Sequence, residues 1–335
     1  MAVQPQTNKN PIVRFLNMNT SGQTGGRSLP LWRQLLLQVV ALAILITVMF
    51  PIMYIVTLSF SSKTTRPSQL EILPKEISFV AYQQVLDKPT GNPVTFIELL
   101  RNSFVLSMGV GAVALFIAVS AAYAFSRFKF KMREVLMVLV FIPLLMPAVG
   151  LSTPLYLLLN QVQVKQCADN TVAIQPITTC DDGKGRVQFN LRDSLFGVGI
   201  AMTASALPFA VWNLKGYLDT IPRELEEAAA IDGADANQTF WQIVIPLAMP
   251  QLAVTFFLGF IGHWQEFVLT WLFLSQPKDY TLAMTLYNMT GQYANSIPWN
   301  RFAAMAVIVA LPVAVVYIAL QKQIVGGLTT GSVKG

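Results

Sequence analysis

Six runs of about twenty predominantly apolar residues constrain this chain more than any other feature, because a run of that length matches the hydrocarbon thickness of a bilayer. They cover residues 35–58, 102–125, 135–159, 195–212, 247–274 and 302–320. In lipid every backbone N–H and C=O must find a partner inside the protein, so each run is expected to be a helix. Only 12% of the 335 residues are charged, about half the roughly 25% of a soluble domain. The sequence thus predicts an all-α membrane protein with six transmembrane helices, and an even number of crossings puts both ends on one side. Pro51, Pro143, Pro147, Pro154, Pro208 and Pro312 lie inside the runs, where lost backbone hydrogen bonds predict kinks.

Ahead of the first run, residues 1–34 are rich in Asn, Gln, Thr, Ser and Gly and carry no acidic residue. They are expected to be a disordered tail. No compact apolar core with a small-residue cleavage site precedes the first run, so that run is expected to stay as an anchor. Lys and Arg are nearly balanced between the two sides over the whole chain. Short loops carry the topological signal, and Arg127, Lys129, Lys131 and Arg133 in one turn favour a cytoplasmic face there. The net charge of +6 is spread between loops without a basic stripe or interleaved aromatics, which argues against a nucleic-acid partner.

Between the fourth and fifth runs lies a polar island, residues 222–246. Pro222 suits the first turn of a helix, with Glu224, Glu226 and Glu227 near its positive end. Gly233 provides a left-handed stop, and Asp235 with Gln238 forms an approximate capping box for a second helix. Pro246 removes a backbone donor and is expected to end that helix. The expected unit is helix, tight turn, helix, with Leu225, Ala228 and Ala229 sharing a small apolar face. A solvated linker would read the same way by amphipathicity alone.

The spacing is more specific. Glu227-Ala228-Ala229, Gly233, then Ile243-Val244-Ile245-Pro246 resembles the signature of the permease subunits of ATP-binding-cassette importers, with Ile245 at the usual leucine. Further runs are similar to the carbohydrate, maltose-type branch: Tyr123-Ala124-Phe125-Ser126-Arg127-Phe128, the lead-in from Ile221 to Ala229, Trp264-Gln265-Glu266-Phe267, and the ending from Gly327 to Gly335. The resemblance implies a type I importer permease fold with cytoplasmic coupling helices. Glu227, Ala228, Ala229, Asp232, Gly233, Ile243 and Pro246 would then couple to an ATPase. It further implies a second homologous permease, two ATPase subunits holding ATP and Mg, an external solute-binding protein, and no cofactor bound directly by this chain. The expected organisation is a cytoplasmic tail (1–34), a first transmembrane helix (35–58), an external loop (59–97), a permease core (98–320) and a cytoplasmic C-terminal tail (321–335). The expected location is a bacterial or archaeal inner membrane with both termini cytoplasmic.

The core carries an external insertion, residues 161–192, that departs from the branch. It holds the two cysteines, Cys167 and Cys180, on the side where disulfides persist, and a bridge is expected. Redox catalysis would want C-x-x-C, and a tetrahedral metal site would want more ligands than two thiols. The single histidine, His263, rules out paired-histidine metal motifs, and Ser332 after Gly331 spoils a phosphate loop. An enzyme reading fails by this inventory, and so does an ATP site here.

Glu266 is an acidic residue placed within a membrane run, and such residues usually face a bundle interior or a watery path. An early end of the fifth run would put it in the interface instead. Trp264 reads equally as a sugar-stacking ring or an interface anchor, and Phe267 joins these two as a candidate pathway residue. The sequence therefore points to a sugar-importer permease. An ion-coupled secondary transporter or channel, with Glu266 and His263 as its ion residues, is the alternative.

Overall fold

The computed structural model describes residues 31–65, 77–167, 172–178, 180, 185–290 and 297–330. The tail up to residue 30 and the end of the C-terminal motif, 331–335, lie outside the described residues. The chain forms two compact units that divide within the first helix, α1 (Leu31–Ser59): Met1–Ile52 and Met53–Gly335. The part of α1 in the first unit is apolar on every side and exposed along nearly its whole length. Such a surface is stable only against hydrocarbon or another apolar chain.

The second unit continues with α2 (Val80–Asp87), α3 (Phe96–Arg127), α4 (Arg133–Leu145) and α5 (Ala148–Asn160), then β1 (Gln163–Cys167), β2 (Val172–Gln175) and β3 (Gly185–Asn190). It ends with α6 (Leu195–Leu218), α7 (Glu224–Ile231), α8 (Ala236–Thr239), α9 (Ile245–Gln265), α10 (Val268–Phe273), α11 (Leu282–Asn288) and α12 (Trp299–Thr330). The helix α3 is its axis. Thr95 and Glu98 start it with a capping box, each side chain bonding the other's backbone N–H. Ser103, Ser107, Gly111, Ala114, Ala118, Ala122 and Ser126 follow at spacings of three and four, all buried. Small residues on one line let α6 and α9 approach closely where lipid supplies no hydrophobic drive.

Three apolar clusters stack along this axis. Ala118, Ala122, Leu214, Leu218, Val244 and Ala248 pack at the C-terminal end of α3. Val110, Ala201, Met202 and Phe273 pack in the middle. At the N-terminal end Leu99 meets Phe260, Trp264, Leu282 and Met305.

Several boundaries differ from expectation for identifiable reasons. The third run is not one helix: α4 and residues 150–160 of α5 diverge by 104°. Met146 is extended ahead of Pro147, as proline demands of the residue before it. The described residues thus hold five helices long and apolar enough to cross a membrane, or six if the bent pair is one crossing. The fourth span runs on to Leu218 rather than stopping at Trp212, and α12 continues through residues read as a C-terminal tail. The fifth span stops at Gln265 rather than Leu274, because Glu266 is extended and a new helix starts only at Val268.

Pro246 does not end a helix. A π-helical turn, Phe240–Val244, joins α8 to α9, and the Ile245 N–H donates to the Phe240 carbonyl across the wider turn. Pro246 then falls in the first turn of α9, where a missing donor costs nothing. Segment 161–192 is a departure from all-helical structure, an antiparallel three-stranded sheet of order β2-β1-β3 with Cys167 bonded to Cys180 at its margin.

Candidate functional site

The polar loop leaves α6 at Asp219 and is built as two short helices about a left-handed turn. Arg223 occupies the N-cap position of α7, so Pro222 precedes the helix instead of opening it. After Ile231 the Gly233 N–H bonds to the Ala230 carbonyl (3.2 Å) and the Ala234 N–H to the Ala229 carbonyl (2.9 Å). That pair of bonds is a Schellman stop, and it needs the positive φ of +88° that Gly233 adopts. Asp235 then accepts from the Gln238 N–H (2.7 Å) while the Gln238 side chain accepts from the Asp235 N–H (2.9 Å), the capping box read from sequence.

The face of α7 expected to be uniformly apolar is divided. Ala229 turns into the protein, whereas Leu225, Glu227, Ala228 and Asp232 are exposed and Ile231 is 86% exposed. The side chain that faces inward beside Ala229 is Glu226. Its Oε1 accepts from Arg127 Nε (2.5 Å) and its Oε2 from the Tyr123 hydroxyl (3.1 Å). Arg127 also donates to the Ile221 carbonyl (3.1 Å) and to Ser126 Oγ (3.1 Å). The side chains of Arg127 and Glu226 are only 8% and 15% exposed.

More ties join the end of α3 to Arg223 and to the end of α6. Arg223 donates to the Ser126 carbonyl (2.8 Å), and Ser126 donates to Asp219 (2.6 Å), which also accepts from Lys215 (2.6 Å). Burial, the largest single influence on Asp219, works to raise its carboxyl. The hydrogen bonds from Lys215 and Ser126, with the positive charges of Lys215 and Arg133, together hold it below the usual carboxylate range. On the other limb Phe240 packs on Tyr123 with ring centroids 4.8 Å apart, and Val244 is fully buried. Ile243 is half-buried and Pro246 exposed, while Trp241 projects outward. Spacing identified the turn but not this anchorage, since Arg127 and Glu226 are far apart in sequence. A hint was present in the arginine that closes an apolar run.

The proposed pathway residues are placed differently. Trp264 is 2% exposed, stacked on Phe260, and its indole N–H donates to the Val309 carbonyl (3.1 Å). It is a core residue, neither a free stacking ring nor an interface anchor, because α12 covers it. Glu266 is half-buried at the break between α9 and α10, and its carboxylate accepts from the N–H groups of Leu269 (2.8 Å) and Thr270 (3.4 Å). A carboxylate suits the positive start of α10. Phe267 stacks on Tyr287 with centroids 4.7 Å apart. A half-open apolar cavity of about 170 Å³ lies between α3, α6 and α9, and His263 lines it with its Nε2 unpartnered among the described residues. Glu266 thus bonds the start of α10 while His263 faces the cavity, and no hydrogen bond joins the two among the described residues. Among the described residues no cluster of three or more His, Cys, Asp or Glu is placed to hold a metal.

Residues 114–328 match the family described as binding-protein-dependent transport system inner membrane component. The chain is 33% identical over 300 residues to the maltose/maltodextrin transport system permease protein MalG of Escherichia coli, covering 86% of this chain and 91% of that one. It is 29% identical over 290 residues to the galactooligosaccharides transport system permease protein GanQ of Bacillus subtilis, covering 87% and 92%. Among solved structures, a chain of a bacterial importer of the acidic polysaccharide alginate shares the fold with a TM-score of 0.65 at 24% identity, covering 89% of this chain and 99% of that one.

Proposed function

The chain belongs to the family of inner membrane components of binding-protein-dependent transport systems, and from that premise we propose that it forms, with a second permease, the membrane pathway of an ATP-driven sugar importer. The substrate class rests on the relatives named for maltodextrins and galactooligosaccharides. It covers oligosaccharides, disaccharides, polyols and sugar phosphates. A separate pair of ATPase subunits holds ATP and Mg, and an external binding protein delivers the solute.

The observation that carries this reading is the loop 219–246, which turns Glu227, Ala228, Ile231 and Asp232 outward while its inner face is tied to α3. A protruding loop of this kind fits a cleft on a partner. Closure of the ATPase pair on ATP displaces the loop, and the permease pair switches between inward- and outward-facing states by differential binding. Gly233 supplies the turn, Ala229 the seat, and Ile243 and Pro246 the junction with the membrane helix. Glu266 and Phe267, at the break after α9, border the pathway.

The test is uptake into vesicles containing the complex with its co-expressed ATPase subunits, using maltose, maltodextrin and galactooligosaccharide with the cognate binding protein. Uptake is expected to follow internal ATP. Uptake that collapses with a protonophore at constant ATP would instead establish ion coupling.

A further inference from the structure

The ion pair between Arg127 and Glu226 holds little obvious advantage as a source of stability. Removing two charges from water is costly, and apolar replacements of similar volume are often neutral or better. What such a pair does supply is a fixed geometry. The guanidinium fork bonds Glu226 through Nε and the Ile221 carbonyl through Nη2, so it accepts one position of α7 relative to the end of α3. Apolar packing offers much less purchase there, because Ala229 is the buried residue of α7. A methyl group against a helix surface tolerates sliding and rotation. A forked, buried and charged clamp does not.

The clamp also sits at the end of the helix that spans the molecule. The 32 residues of α3 extend roughly 48 Å at 1.5 Å each, with α6 and α9 packed on their small-residue line. We infer that Arg127 and Glu226 are the positioning pair that converts displacement of the loop into displacement of α3. Neither residue belongs to the exposed surface assigned to the ATPase. This inference deepens the importer reading and rests on it.

The test is carried out on the reconstituted complex with its ATPase subunits. Ile97, at the opposite end of α3 and 72% exposed, is replaced in an Ile97→Cys background. The rate of labelling by a membrane-impermeant maleimide is measured with and without ATP and vanadate. The native cysteines are bonded to each other, so the introduced thiol carries the signal. Two variants follow: Glu226→Gln, which keeps the shape and removes the charge, and the double variant Arg127→Met, Glu226→Leu, which replaces the pair by apolar contact.

The nucleotide-dependent change in labelling is expected to fall about tenfold in both variants, within the range of coupling between sites. Thermal stability of the double variant and the amount of co-purified ATPase are expected to stay at the parent level. Arg127→Lys, which keeps the charge and loses the fork, is expected to restore part of the response. A full response in the double variant would overturn the inference, since packing alone would then suffice. Loss of the ATPase, or failure to reach the membrane, would also overturn it by making the pair a docking brace or a folding element. If labelling in the parent background ignores nucleotide although the ATPase is present, the importer reading itself fails and the inference falls with it.

Discussion

Gly233 shows how a single residue separates folding from function. A Cβ there meets nothing within 4 Å, so the only obstacle to substitution is the backbone at φ +88°. Gly233→Val therefore strains the turn by on the order of 1–3 kcal/mol, small against the burial of the helices yet comparable with the 1–3 kcal/mol typical of coupling between sites. The variant is expected to reach the membrane at normal levels but to lose ATPase association or the response of hydrolysis to solute. Gly233→Asn, which tolerates the left-handed region, should retain much of both. Membrane abundance, co-purified ATPase and solute-stimulated hydrolysis, measured together, check this, and wild-type transport by Gly233→Val would count against the loop's role. At Glu266 the hydrogen bonds its carboxylate accepts from the Leu269 and Thr270 N–H groups predict that Glu266→Ala costs about 1 kcal/mol of local stability and alters uptake while assembly persists; normal uptake kinetics would retire it from the pathway. Gly233 and Asp235 were legible in the sequence because turns and caps depend on residues within one or two turns. Trp264 was not, since its burial depends on α12, far along the chain.

Among the elements, the small-residue seam of α3 and the return from the sheet into α6 carry the clearest expectations. Ala118 is fully buried where α6 packs, so Ala118→Leu should cost about 1–3 kcal/mol through overpacking. The matching measurement is the melting temperature of the purified complex. A Cβ on Gly197 would stand 1.9 Å from the Leu191 carbonyl oxygen, a backbone atom that cannot step aside, so Gly197→Ala should lower the amount of folded protein more than Gly216→Ala, where the space is open. In the sheet, Cys167→Ser opens a loop of about 15 residues and should destabilise it by roughly 3 kcal/mol in the chain-entropy model. Mass spectrometry of unreduced protein first establishes whether the thiols are protected from alkylation. The helices were readable because twenty apolar residues in a bilayer have one solution. The strands were not, being short, mixed in polarity and surrounded by stronger signals. The break at Met146–Pro147 lay between, since a proline forecasts a kink but not whether a helix bends or turns back.

At the scale of the molecule, the apolar runs and the loop motif determined the class of protein, whereas the anchorage of the loop and the division of α7 into inner and outer faces required the fold. Long exposed apolar faces, such as those of α1 and the outer side of α4, are surfaces that lipid and neighbouring subunits must cover. The two limbs of the loop differ in a way that matters mechanically. The first is jointed at both ends, by the turn at Asp219–Pro222 and by Gly233. The second is continuous in chain, because the π turn and Pro246 lead residues 236–265 straight on into α9, with Pro250 inside it, a helical stretch roughly 45 Å long at 1.5 Å per residue. Under the proposed coupling role, a push delivered beside Ile231 would reach α3 through the Arg127–Glu226 pair on one side and α9 through Ala236 on the other. Along the second limb that displacement would run to Gln265, where the helix gives way to Glu266.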